Sequence, residues 1–254
     1  MLNRSSTDSV IRCTTLSSTK WEDWTVCPYT DPLAVFRFEW PRQIELDELL
    51  SELSFAEIER AKRFRRQEDQ LRFAYGRCIL RRLLGNYIGQ PLASIELTEG
   101  MNRKPVFTNS PGWQFNISHS GNWVLVAIST VWVGVDLEKS IQGFDFQGIV
   151  SQSFSKSEQQ FVDKSLNRVN AFYTIWTRKE ALVKATAKGV DEDFVRVPSL
   201  DGIHSVDSLV IGSSGDWLVN SFWVAEGYTA AVAYPGTIKG PLFYTLDSRF
   251  FRRG

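Results

Sequence analysis

Val133-Gly134-Val135-Asp136-Leu137-Glu138 alternates apolar and acidic residues around one glycine. Read as a strand, it buries Val133, Val135 and Leu137 and turns both carboxylates to the opposite face, with Gly134 leaving space beside them. Acids at i and i+2 of a strand stand roughly 6.8 Å apart at Cα, near enough for both to reach one hard divalent cation. The stretch is a candidate magnesium seat; the alternative is a solvated sheet face that the acids merely keep wet.

Trp176-Thr177-Arg178-Lys179-Glu180-Ala181-Leu182-Val183-Lys184 reads as a helix. Phe172, Ile175, Trp176, Leu182 and Val183 recur at helical spacing, and neither Gly nor Pro intervenes before Gly189. The other stripe is Tyr173, Thr177, Glu180 and Lys184, so one face carries an acid and a base. An exposed ion pair between Glu180 and Lys184 is the competing reading, worth roughly 0.2–0.5 kcal/mol.

Further out, Leu71, Ala74, Tyr75, Cys78 and Ile79 predict a long, arginine-dense helix running from Ala61 to Leu84. Phe115 to Ile128 predicts strand, tight Ser-Gly-Asn turn, strand, and Phe222 to Tyr234 repeats that shape, again after a long helix. The expected fold is α+β: two similar α/β halves related by pseudo-two-fold symmetry, with a site in the cleft between them. Residues 1–30 are expected to be a poorly ordered segment that Trp21 and Trp24 anchor, 31–130 the N-terminal half and 131–254 the C-terminal half.

Composition narrows the function. Lys plus Arg and Asp plus Glu both number 29, so no net field marks a nucleic-acid binder, and any anion site must be local. Two histidines, His119 and His204, cannot build an HExxH or multi-histidine zinc centre, which leaves oxygen ligands. Cys13, Cys27 and Cys78 form no CxxC pair and suit a reducing compartment as core thiols. No membrane span or secretory signal is read, so a soluble, cytoplasmic protein is expected.

Phe115-Asn116-Ile117-Ser118-His119-Ser120-Gly121, Val133 to Glu138, Phe154-Ser155-Lys156-Ser157-Glu158 and Phe172 to Lys184 stand in this order. Together they resemble the motifs of the 4′-phosphopantetheinyl transferases of the large monomeric, surfactin-synthetase-activating type, over roughly Phe55 to Tyr234. The resemblance implies transfer of the 4′-phosphopantetheine arm of coenzyme A to a serine of an apo acyl or peptidyl carrier protein, releasing 3′,5′-ADP with magnesium bound. It implies coenzyme A in the cleft between the halves, and a monomer that suffices for one complete site.

By similarity, Asp136, Glu138 and Glu180 would hold the magnesium, and Lys184 would contact the pyrophosphate. Glu180 is the best general-base candidate, directly or through water, and Lys184 would stabilise or protonate the departing phosphate. Arg60 and Lys104 lie where the family keeps basic residues for coenzyme A, and Ser118 and His119 match its Ser-His pair near the adenosine 3′-phosphate. Two departures stand out: Arg103 replaces a usual glycine before Lys104-Pro105, and Ala187 replaces a frequent glycine, a change expected to lengthen the helix slightly.

Between Glu138 and Glu158, Ile141, Phe144 and Phe146 are interrupted by Gly143 and Gly148, which argues against a regular helix through the first half. These residues are expected to form an exposed patch for the carrier, in a region that contributes to carrier binding in the similar family. The rivals are a coenzyme A-binding or carrier-binding regulator that kept the fold without the reaction, and another metal-dependent phosphotransferase. The first would be marked by loss of an acid, and all three are present; the second lacks a GxxxxGK[ST] loop.

Overall fold

The structure, a computed structural model, describes residues 8–40, 46–100, 104–107 and 112–252. Its strands are β1 (Asp8–Thr15), β2 (Trp21–Asp23), β3 (Leu33–Glu39), β4 (Leu97–Glu99), β5 (Pro105–Phe107), β6 (Gln114–Ser120), β7 (Trp123–Ser129) and β8 (Gly134–Lys139). They continue with β9 (Gly202–Asp207), β10 (Asp216–Ala225), β11 (Tyr228–Pro235) and β12 (Leu242–Thr245). The helices are α1 (Leu46–Leu50), α2 (Phe55–Lys62), α3 (Gln67–Ile88), α4 (Gln147–Ser153), α5 (Lys156–Lys164), α6 (Arg168–Thr186), α7 (Ser208–Ile211) and α8 (Arg249–Arg252).

Two five-stranded sheets dominate, in the orders β2-β12-β3-β7-β6 and β8-β11-β10-β1-β9. The strands β3, β7 and β11 are buried on both faces. Phe36, Phe38, Val126 and Ile128 of the first sheet pack with Leu80, Leu83 and Leu84 of α3. Leu33, Val35, Leu125 and Ala127 point the other way and meet Val135, Leu137, Val224 and Val232 of the second sheet. Beyond that sheet, Ile11, Val219, Ala231 and Ala233 pack on Ala181, Leu182 and Ala185 of α6. The layers therefore run α3, sheet, sheet, α6, a mixed α+β architecture. Among the described residues no helix is long and apolar enough to cross a membrane.

Both expected hairpins form, β6-β7 and β10-β11, and Gly121 takes φ +54° in the first turn. Three expectations need correction. The helix expected over 61–84 is two helices: α2 ends at Lys62 and α3 starts at Gln67, with Arg66 extended at φ −102°, ψ 134°. From Asp8 onward the opening is ordered rather than loose, because β1 lies between β10 and β9 and buries Ser9, Ile11 and Cys13. Residues 1–7 of that expected segment lie outside the described residues, as does Arg103. The third correction concerns Ala187: α6 stops at Thr186, and Ala187 sits at its C-cap with φ +57°, where glycine is the usual residue, so the alanine strains the cap instead of lengthening the helix.

Trp24 is buried and Trp21 packs edge-on against Phe243, so both tryptophans do tie this part to the body. All three cysteines are free and buried, and burial pushes the Cys13 thiol up to about 12.

Candidate active site

The site begins with Gly134. An added Cβ there would fall 2.1 Å from Ala181 O and 2.3 Å from Ala185 N, so only glycine lets β8 lie against the α6 backbone. That contact brings Asp136 and Glu138, on the same strand face, up to Glu180 and Lys184. Val133, Val135 and Leu137 are buried on the other face, as the alternation predicts.

α6 is held in place by the two residues before Glu180. The Lys179 ammonium is fully buried, 3.0 Å from Glu158 Oε2, and donates to the carbonyls of Phe194, Val195 and Val197. Glu158 also closes the capping box of α5 with Ser155 and accepts from Ser199 Oγ. Arg178 donates to Ser199 O, Asp201, Ser221 Oγ and Thr15 Oγ1. These buried charges are paired and hydrogen-bonded, as burial demands, and they fix the turn that presents Glu180.

Lys184 Nζ donates to Asp136 Oδ1 at 2.5 Å, and Ser118 Oγ donates to the same oxygen at 3.1 Å. Asp136 Oδ2 is buried with no hydrogen-bond partner among the described residues. Burial raises the pKa of Glu138, reinforced by Asp136, and burial likewise raises that of Glu180 against the pull of Lys184. For Lys184, burial lowers the pKa but Asp136, Glu180 and Glu138 more than offset it, so the lysine stays charged. Three carboxylates thus share one cation, an excess of negative charge.

Among the described residues no three His, Cys, Asp or Glu groups converge into a metal-holding cluster; Lys184 stands against Asp136 instead. The residue types suit a hard divalent ion: Asp136, Glu138 and Glu180 are carboxylates, and Asp136 Oδ2 has no partner among the described residues.

Two cavities meet at Pro105 and Ile117, which line both. The first, of about 180 Å³, is bounded by Glu180, Val183, Lys184, Ala187 and Val190. The second, of about 310 Å³, is lined by Arg60, Arg72, Arg77 and His119, with Phe64, Phe73 and Asp69, the last paired with Arg72 at 2.9 Å. Arg60 and Arg77 stand over the Phe73 ring. His119 is exposed at the edge of this cavity, and desolvation there lowers its pKa, with Arg72 and Lys184 lowering it further.

Alternation along β6 separates the expected Ser-His pair. His119 lines the basic cavity, whereas Ser118 turns to β8 and Asp136. Lys104 lines the first cavity beside Glu180 and Lys184, and its ammonium donates to Val133 O, Lys184 O and Ala185 O, satisfying carbonyls at the end of α6, so it also braces the site. Phe146 is 7% exposed and stacks on Phe172 at 4.5 Å, because it packs with Val150 and Phe154 of the α4 segment against α6; it is core, not surface. Ile141 and Phe144, at 54% and 41%, are exposed as expected.

Sequence reading passed over Arg72, Arg77 and Ser120. Arg72 and Arg77 sit among six arginines between 60 and 77, where count alone singles out none. For Ser120 the signal was present: Asn116, Ser118 and Ser120 alternate on one strand face.

The family profile described as 4′-phosphopantetheinyl transferase, N-terminal, matches residues 39–131, and that of the 4′-phosphopantetheinyl transferase superfamily matches 132–233. The chain belongs to the 4′-phosphopantetheinyl transferase superfamily. The junction between the two matches falls just before β8, so the second begins with the strand carrying Asp136 and Glu138.

Among relatives in this superfamily, the 4′-phosphopantetheinyl transferase psf-1 of Bacillus pumilus is 33% identical over 148 residues, 58% of this chain and 63% of that protein. HetI of Nostoc sp. is 34% identical over 153 residues, 58% of this chain and 64% of HetI. Sfp of Bacillus subtilis strain 168 is 29% identical over 197 residues, 75% of this chain and 85% of Sfp. The chain thus spans just under two thirds of the length of psf-1 and HetI.

Proposed function

We propose that the protein transfers the 4′-phosphopantetheine arm of coenzyme A to the serine of an apo acyl or peptidyl carrier protein, releasing 3′,5′-ADP. The observation that carries this reading is the pairing of a three-carboxylate, one-lysine cluster with an arginine-lined cavity across Pro105 and Ile117. Coenzyme A is a ligand with two separated anionic regions, a pyrophosphate and a 3′-phosphate. In this reading the carboxylates and Lys184 would face the pyrophosphate, and the arginine-lined cavity the 3′-phosphate.

In the reaction, the carrier serine oxygen forms a bond to the β-phosphorus of coenzyme A while the pyrophosphate bridge bond breaks. Asp136, Glu138 and Glu180 would hold a magnesium ion, which offsets the charge gathering on the pyrophosphate oxygens. Glu180, directly or through a water, takes the serine proton. Lys184, kept charged by its three acidic neighbours, stabilises the departing phosphate of 3′,5′-ADP. Arg60, Arg72, Arg77 and His119 bind the adenosine 3′-phosphate end. Ile141 and Phe144, exposed just beyond β8, form the carrier patch.

The test is to mix the protein with coenzyme A, magnesium and an apo carrier and measure the carrier mass. Addition of the phosphopantetheine arm is expected, lost on removing magnesium and reduced by orders of magnitude in Asp136→Ala and Glu180→Gln. An unmodified carrier, or near-wild-type turnover in both variants, overturns the reading.

A further inference from the structure

β6 and β8 are edge strands of different sheets, β6 pairing with β7 and β8 with β11. An open strand edge leaves a row of backbone donors without partners. Along β8 those donors are met by side chains of β6: Val135 N–H donates to Asn116 Oδ1 at 2.9 Å, Leu137 N–H to Ser118 Oγ at 3.2 Å and Lys139 N–H to Ser120 Oγ at 3.0 Å. Asn116, Ser118 and Ser120 can do this because they share one strand face.

The two serines do something that Asn116 does not. A hydroxyl that has accepted an N–H still has one proton to donate. Ser118 Oγ gives it to Asp136 Oδ1 at 3.1 Å, and Ser120 Oγ gives it to Glu138 Oε2 at 2.9 Å. Each serine thus joins a β8 carboxylate to the backbone N–H of the residue that follows it. The bond also decides which oxygen stays open: on Asp136 it falls on the oxygen that Lys184 already contacts and leaves Oδ2 without a partner.

We propose that Ser118 and Ser120 are positioning residues, orienting Asp136 and Glu138 to receive a divalent cation before it arrives. The inference rests on the magnesium part of the proposed function. Hydrogen-bond partners of carboxylate ligands typically govern metal affinity by about 10–100-fold, and a carboxylate already fixed loses less freedom on binding.

The test is a titration of Mn2+, followed by electron paramagnetic resonance, into wild type, Ser120→Ala, Ser120→Thr and Asn116→Ala, with and without coenzyme A, alongside thermal melts. Ser120→Ala is expected to weaken Mn2+ binding about 10-fold or more, and Ser120→Thr, which keeps the hydroxyl, to restore it. Asn116→Ala is expected to lower the melting temperature while leaving Mn2+ affinity unchanged, since it breaks a rung that touches no carboxylate. Should Ser120→Ala fail to fold, Ser118→Ala makes the same comparison at Asp136. Wild-type affinity in the serine variants, or equal weakening in Asn116→Ala, overturns the positioning role while leaving the metal site standing. Absence of Mn2+ binding to wild type overturns the magnesium reading and this inference with it.

Discussion

Gly134 lies so close to Ala181 that a methyl group on its Cα would come within 2.1 Å of the Ala181 carbonyl oxygen. The obstacle is helix backbone, which cannot swing aside as a long side chain can. Gly134→Ala should therefore push β8 off α6 and cost about 1–3 kcal/mol, the usual range for overpacking. Urea denaturation measures it, and a change under about 0.5 kcal/mol, within the range of ordinary surface substitutions, would show that the approach is not tight.

Ala187 provides the opposite case. Its φ of +57° strains an L-residue, and the same angle is free for glycine. Ala187→Gly is expected to stabilise the fold by about 0.5–1 kcal/mol, less than the full strain because glycine also loosens the unfolded chain. An unchanged or lowered melting temperature would show that the cap bears no strain.

Lys104 gives a pH signature. Burial lowers its pKa to about 8, from an ordinary value of 10.5. Between those values the unfolded chain binds more protons at this position than the native protein, so stability rises with pH across the window. Relative to Lys104→Met, which cannot titrate there, the wild type should gain about 1–2 kcal/mol between pH 8 and 9.5. The variant itself leaves three carbonyls short of a donor and should be destabilised by about 1–3 kcal/mol at pH 7. Paired denaturation curves at both pH values check this, and parallel pH profiles would contradict it.

Phe144 and Phe146, two residues apart, should separate cleanly. Phe144→Ser is expected to raise KM for an apo carrier several-fold with little loss of stability, since the ring is 41% exposed. Phe146→Ser removes a ring stacked on Phe172 and should cost about 3 kcal/mol or more. Steady-state kinetics and thermal melts on both variants decide it. A stability loss in Phe144→Ser as large as in Phe146→Ser would place both rings in the core.

What the sequence discloses depends on how local the cause is. The hairpins at Phe115–Ile128 and Phe222–Tyr234, and the helix through Glu180, follow from neighbours within a few residues and are legible as written. The interruption between α2 and α3 is not, because Arg63, Phe64, Arg65 and Arg66 contain neither Gly nor Pro to announce it. β1 is opaque for another reason: its partners lie some 200 residues away, so its Ser/Thr-rich stretch looks unstructured in isolation. In the candidate site the acids and Lys184 are visible as residue types in a pattern. The tasks of Lys104, Ser118 and Ser120 are set by groups on other strands, and only coordinates bring those together.

The placement of β1 and β12 sets a timetable for the molecule. β1 is synthesised roughly 200 residues ahead of its parallel neighbour β10, a wait of about 10–40 s at ordinary elongation rates. Over that interval Ile11 and Cys13 have no sheet to enter. β3 waits similarly for β12, which slots in between it and β2. Each sheet is completed by a strand from the opposite side of the sequence, so the two close together, as a buckle does. A cut in the chain between them would leave both pieces with an open edge.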